Sequence, residues 1–149
     1  MAYLRDKALR EIRTAPQFEA FHAQWVDEVR HRISTSKGGR CSHGQAQKAI
    51  NVFLKVYVDF AGRPDQATAR RLRRFLHVPL DSLVMKAIRS RYREDAARPP
   101  KPKNYSLSNL HDDDYLKWQE FLRRKHPTNP VLFDVAWWQA RKAKARNGR

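Results

Sequence analysis

Residues 44–61 constrain the fold more than any other stretch. Ala46, Ala49, Ile50, Val52, Phe53, Leu54, Val56, Tyr57, Val58 and Phe60 occupy almost every position of the run. They do not alternate with polar residues, so the pattern is that of a helix apolar on nearly every face rather than of a half-buried strand. Such a helix belongs in the middle of a domain. Its polar members, Lys48, Asn51, Lys55 and Asp59, recur at helical spacing and share one narrow stripe. That stripe either meets solvent or lines a cleft.

The remaining segments carry the same periodicity. A short helix is expected over 3–13. Thr14 then caps a second, with Pro16 in its first turn, where a missing N–H costs little; Phe18, Phe21, Trp25 and Val29 give it an apolar side as far as Ile33. Residues 34–43 read as a loop with two glycines. Further helices are expected over 64–76, over 81–92 with Asp81 as N-cap, over 111–125 with Asn109 as cap, and from Pro130 onward. The sum is an all-α chain of six to seven helices in a single domain over 1–149. A Pro-rich, exposed linker is expected at 94–110, and a frayed basic tail at 141–149.

Charge narrows the partner. The chain has 31 Lys+Arg against 15 Asp+Glu, a formal net charge of +16. Self-repulsion of that size destabilises a compact state. A polyanion relieves it, and nucleic acid is the leading choice because neutralising phosphates releases counterions. The arginines at 70, 71, 73 and 74 form the densest basic segment within an expected helix. With 41% apolar residues, four Trp, five Tyr and seven Phe, the chain has enough to pack a core. Cys41 is the sole cysteine, which excludes an intramolecular disulfide and cysteine-based zinc or iron–sulfur sites. No apolar run approaches the about 20 residues of a membrane span, and Met1–Lys7 has no signal-peptide core. A cytoplasmic protein without a membrane partner is expected, nucleoid-associated if it binds DNA.

Two segments carry possible chemistry. His43-Gly44-Gln45-Ala46-Gln47-Lys48 opens the apolar helix, and His77-Val78-Pro79-Leu80-Asp81 opens a later one. A lysine amine desolvated in an apolar setting is an activated nucleophile. Lys48 can attack the sugar carbon of a nucleoside, displace the base and form a Schiff base that leads to strand cleavage. Asp81 can stabilise cationic sugar character and shuttle protons. A target base must leave the stack for such chemistry and needs a walled pocket; Trp25, Tyr57, Phe133, Trp137 and Trp138 are the available aromatics.

The pairing of G-x-x-x-K at Gly44–Lys48 with V-P-x-D at Val78–Asp81 resembles the helix-hairpin-helix DNA glycosylases. The 33-residue separation of Lys48 and Asp81 is closest to the archaeal 8-oxoguanine glycosylase branch. The stretch from Pro130 through Asp134 to Trp137 resembles a C-terminal segment of that branch. The resemblance implies a helix-hairpin-helix glycosylase-like fold and a glycosylase with abasic-site lyase activity on an 8-oxoguanine-like base. Lys48 would be the nucleophile and Asp81 its carboxylate. Asp134 and Trp137 would meet the flipped base. Lys37, Arg40, His43, Gly44, Gln47, Arg70, Arg71 and Arg74 would grip the nucleic acid. DNA is the implied partner, with RNA left open; the protein would be a monomer, and no metal or organic cofactor is implied. In the hairpin Ala46 stands where a second glycine is usual.

Two other classes of function fit the same residues. One is a basic helical module that binds nucleic-acid backbone without chemistry, Lys48 being a surface lysine and Asp81 only a cap. The other is an interaction or inhibitor protein that docks on an acidic partner.

Overall fold

The structure is a computed structural model that describes residues 2–34, 38–101 and 105–133, with side chains from residue 5. Among the described residues it is all-helical. Six α-helices run in order: α1 Ala2–Glu11, α2 Ala15–Arg32, α3 His43–Leu54, α4 Gln66–Leu72, α5 Ser82–Arg91 and α6 Asp112–Lys125. The helix α3 continues into a π-helical turn, Lys55–Phe60, and short 3₁₀ turns occupy Arg73–Phe75 and Leu107–Asn109. The only strand-like pairing in these segments is an isolated bridge between Ser34 and Arg40.

The helix starts are set by local hydrogen bonds. Thr14 and Ser42 each form a reciprocal capping box, with Gln17 and Gln45 respectively. Asp65 caps α4, and Asp81 caps α5 by accepting from the amides of Leu83 and Val84. The residue at the N-cap of α6 is His111 rather than Asn109, and its side chain makes no capping bond. Asp112, Asp113 and Asp114 fill the first turn instead, where the helix dipole favours negative charge.

Apolar side chains gather into two clusters. The first joins α1 to α4 and includes Leu9, Phe18, Val26, Ile50, Leu54 and Leu72. The second joins the segment 78–80 to α5 and α6 and includes Leu80, Met85, Ile88, Tyr115, Trp118 and Phe121. Hydrogen-bonded polar side chains connect α2 and α3 of the first cluster to Tyr115 and the 77–78 segment at the second. His22 Nε2 donates to Asn51 Oδ1 at 2.8 Å. Asn51 Nδ2 donates to Gln47 Oε1 at 2.8 Å and to Tyr115 Oη at 2.9 Å. Tyr115 Oη donates in turn to His77 Nδ1 at 2.6 Å, leaving the other ring nitrogen to donate to Glu19 Oε1 at 3.1 Å. Arg123 closes the chain on the same Glu19 oxygen at 2.6 Å. This tautomer set serves each of these bonds; Arg123 Nη2 also lies 3.2 Å from His77 Nε2, a contact in which both atoms are donors.

The central helix is less enclosed than its composition suggests. Ile50, Leu54 and Val58 are buried, but Val52, Phe53, Val56 and Phe60 are 44–61% exposed. The polar stripe, by contrast, faces other protein. Asn51 is 1% exposed. Lys48 and Asp59 make ion pairs with Asp81 and Arg73. Packing on both ends of this helix is therefore partly polar, and the helix turns an apolar side outward.

The expected linker at 94–110 is exposed at Glu94, Ala96, Ala97, Arg98, Lys101, Ser106, Ser108 and Asn109, but it is anchored to the fold. Pro99 is buried, Arg89 Nη1 donates to the Pro100 carbonyl at 3.1 Å, and Lys125 pairs with Asp95. Farther along, Leu110 is buried and the turn at Leu107–Asn109 packs on α3. Proline content predicts extended chain but does not say what lies beneath it. The tail at 141–149 lies outside the described residues.

The network makes stability sensitive to mild acid. Burial, with the charge of His77 adding to it, lowers the pKa of His22 to about 3. Burial also lowers that of His77. The unfolded chain binds these protons near pH 6.5, whereas the folded chain does not. Their contribution is complete above about pH 6.5 and declines as pH falls toward 3. The melting temperature should fall between about pH 6.5 and 4.5, before ordinary carboxylates titrate, and His22→Gln should flatten that slope. A slope unchanged by the substitution would contradict this assignment.

Candidate functional site

Lys48 and Asp81 meet. Lys48 lies in the second turn of α3, and Asp81 is held at the start of α5 by the link from His77 to Leu80. Lys48 Nζ donates to Asp81 Oδ2 at 2.9 Å across 33 residues of sequence. Oδ1 of the same carboxylate accepts from the Leu83 and Val84 amides at 3.0 and 2.9 Å. Burial raises the pKa of Asp81, but the Val84 amide, the Lys48 ammonium and the Leu83 amide outweigh it. The carboxyl is thus held below the ordinary aspartate value. Both side chains are partly open to solvent, 38% for Lys48 and 24% for Asp81.

The pair lies on the wall of a groove of about 420 Å³, lined also by Gln45, Leu83, Tyr105, Ser106 and Ser108. The far wall is the turn at 106–108. Ser42 Oγ donates to the Leu107 carbonyl at 3.3 Å, and Gly44 lets this backbone approach. A Cβ at Gly44 would lie 2.1 Å from the Leu107 carbonyl oxygen, so any other residue there must displace the turn. The ammonium of Lys86 sits 5.5 Å from the Tyr105 ring centroid.

The link that delivers Asp81 is clamped from two sides. Gln119 accepts from the Val78 amide at 2.8 Å and donates to the Val78 carbonyl at 2.9 Å. Gln47 Nε2 donates to the Gly44 carbonyl at 2.8 Å and reaches the Leu80 carbonyl at 3.4 Å. The separation of Lys48 from Asp81 is thus fixed by buried amides on α3 and α6.

Several residues expected to grip nucleic acid have other work. Gln47 is fully buried with its amide engaged inside the protein, which removes it from any phosphate-contacting surface. Gly44 is buried and serves the approach of the 106–108 turn. His43 is nearly enclosed. Its Nδ1 lies 2.7 Å from Asp112 Oδ1, at ion-pair distance without hydrogen-bond alignment, and burial lowers its pKa. Arg71 is spent on carbonyls at the end of α1, donating to Ile12 O at 2.8 Å and Arg10 O at 3.0 Å. Arg40, Arg70 and Arg74 are exposed, and the Arg74 guanidinium rests 4.8 Å from the Phe75 ring centroid. Lys37, Asp134, Trp137 and Trp138 lie outside the described residues.

Among the described residues, the aromatics expected at a base pocket, Trp25, Tyr57 and Phe133, do not line this groove. Phe133 is buried in the second cluster, Tyr57 donates to Asp6 at 2.7 Å, and Trp25 packs against Phe53 and Arg5. The aromatic beside Lys48 and Asp81 is Tyr105, which sequence reasoning missed, together with Ser106 and Ser108. No periodicity marks them, since they lie in irregular chain after the prolines.

Among the described residues, no group of three or more His, Cys, Asp or Glu is placed to hold a metal ion, and no helix is long and apolar enough to cross a membrane.

Substituting Gly44 tests this geometry. Gly44→Ala should cost about 2 kcal/mol through overpacking against the Leu107 backbone, read by denaturant unfolding. A variant as stable as the parent would show that the turn does not rest on Gly44. No family model, curated protein or solved structure matches the chain.

Proposed function

We propose that the protein is a DNA glycosylase with abasic-site lyase activity, of helix-hairpin-helix glycosylase type, and that Lys48 is its nucleophile. The observation that carries this reading is the 2.9 Å contact between Lys48 Nζ and Asp81 Oδ2 on the wall of an open groove. The resemblance of the two motifs supports it. An 8-oxoguanine-like base is the substrate implied by that resemblance.

In the free protein the two groups form an ion pair. For attack, the Lys48 ammonium gives up a proton to solvent, and the Asp81 carboxylate, held below its ordinary value, stays charged to face the cationic sugar. The amine adds to C1′ as the glycosidic bond breaks, and the base leaves with the bonding pair and takes up a proton. Opening of the sugar ring gives the C1′ imine. Loss of a C2′ proton then expels the 3′ phosphate by β-elimination, and water releases the lysine. Substrate that excludes water from the groove strengthens each charge interaction in the sequence.

A second reading is favoured by the capping bonds of Asp81. Its Oδ1 is committed to α5, so the ion pair with Lys48 can be a tie between α3 and α5 in a backbone-binding protein without chemistry.

Borohydride trapping separates the two. A covalent band is expected on a duplex carrying one 8-oxoguanine and none on an undamaged duplex. Lys48→Gln should abolish it, and Asp81→Asn should reduce it by about 10²-fold or more. Equal trapping by Lys48→Gln would end the assignment; no band on lesion or abasic duplexes would favour the tie.

A further inference from the structure

The junction of α1 with α2, where it meets α4, concentrates arginine beyond what its structural bonds neutralise. Arg71 donates to the carbonyls of Ile12 and Arg10. Arg13 donates to the same two carbonyls. Arg10 pairs with Asp65 at 3.1 Å. The charges acting on Arg71 are those of Arg13, Asp65 and Arg74, two cations against one anion. Arg70 and Arg74 stand exposed on the same short helix and the turn that follows it. Helix-end carbonyls account for binding one guanidinium. They do not account for crowding four around a single carboxylate.

We propose that Arg13, Arg70 and Arg74 form a second contact surface for nucleic-acid phosphates, built on the buried-side anchor of Arg71. This surface operates whether or not Lys48 is a nucleophile, so it goes beyond the chemistry above while sharing its partner. Guanidinium suits phosphate because its planar donors can engage two oxygens at once. A repeating phosphodiester is favoured over a lipid surface by the neighbouring side chains. None of the exposed large apolar residues (Ile33, Val52, Phe53, Val56, Phe60, Leu83, Leu116 and Leu132) belongs to α1, α4 or the links carrying these arginines. The segments that carry Arg13, Arg70 and Arg74 thus present cations with no exposed large apolar side chain among them.

The test is fluorescence-anisotropy titration of the full chain with an undamaged duplex between about 50 and 200 mM salt. Each phosphate contact removed lowers the slope of log affinity against log salt by about 0.9. Arg13→Gln with Arg74→Gln should make the slope shallower by about two and weaken binding about tenfold or more at the lower salt. Arg70→Gln with Arg74→Gln, which leaves the α1 carbonyl bonds untouched, should do the same and guards against loss of folding. Unchanged slope and affinity in that second variant would overturn the inference. So would loss of binding to phosphatidylserine vesicles with duplex binding intact, which would assign the surface to membrane. An undamaged duplex supports no Schiff base, so this surface and the Lys48 chemistry can each fail alone.

Discussion

The amide of Asn51 is the interaction on which the rest of the structure depends. It accepts a hydrogen bond from His22 on α2 and donates one to Gln47 on its own helix and another to Tyr115 on α6. Two apolar clusters could slide past each other at little cost, because hydrophobic attraction has no direction. Hydrogen bonds have direction, and leaving one buried partner unsatisfied costs about 1–3 kcal/mol. A buried hydrogen-bonded network of this kind therefore selects one arrangement of α2, α3 and α6. That arrangement also sets the site, since Gln47 and Gln119 hold the link from Val78 to Leu80 and so place Asp81 beside Lys48.

The same network explains why a strongly basic chain carries neutral histidines at its centre. His22 and His77 lie where an added charge would have no water around it, so burial keeps them unprotonated. Glu19 is the exception within the network. Burial raises its pKa, and hydrogen bonds from His77 and Arg123 together with the Arg123 charge pull it down to about 2. Its negative charge balances Arg123 and orients the His77 ring. The excess positive charge stays outside, at Arg70, Arg74 and Arg40.

Much of the backbone was legible in the residues. Thr14 and Asp81 begin their helices where the sequence places them; Ser42 and Asp65 are also capping residues by type, and Asp65 starts α4 at Gln66 rather than at Pro64. The spacing of Lys48, Asn51, Lys55 and Asp59 showed one stripe, yet not its direction. Periodicity gives a face and tertiary packing decides what covers it, so Val52, Phe53, Val56 and Phe60 turned outward while Asn51 turned in. The contact of Lys48 with Asp81 was signalled by two motifs, whereas Tyr105 had no such signal. The roles the resemblance implied for Gly44 and Gln47 failed for different reasons: the turn at Leu107–Asn109 covers Gly44, and Gln47 is spent on the Gly44 and Leu80 carbonyls and on Asn51.

The central claim is that Lys48 carries the chemistry, and locating a covalent bond tests it most directly. The measurement is peptide mapping by mass spectrometry of the borohydride-reduced complex with abasic DNA. The account predicts a reduced deoxyribose adduct on the peptide containing Lys48, with Lys86, the other lysine near the groove, unmodified. An adduct on Lys86, or one spread over several surface lysines, would contradict it.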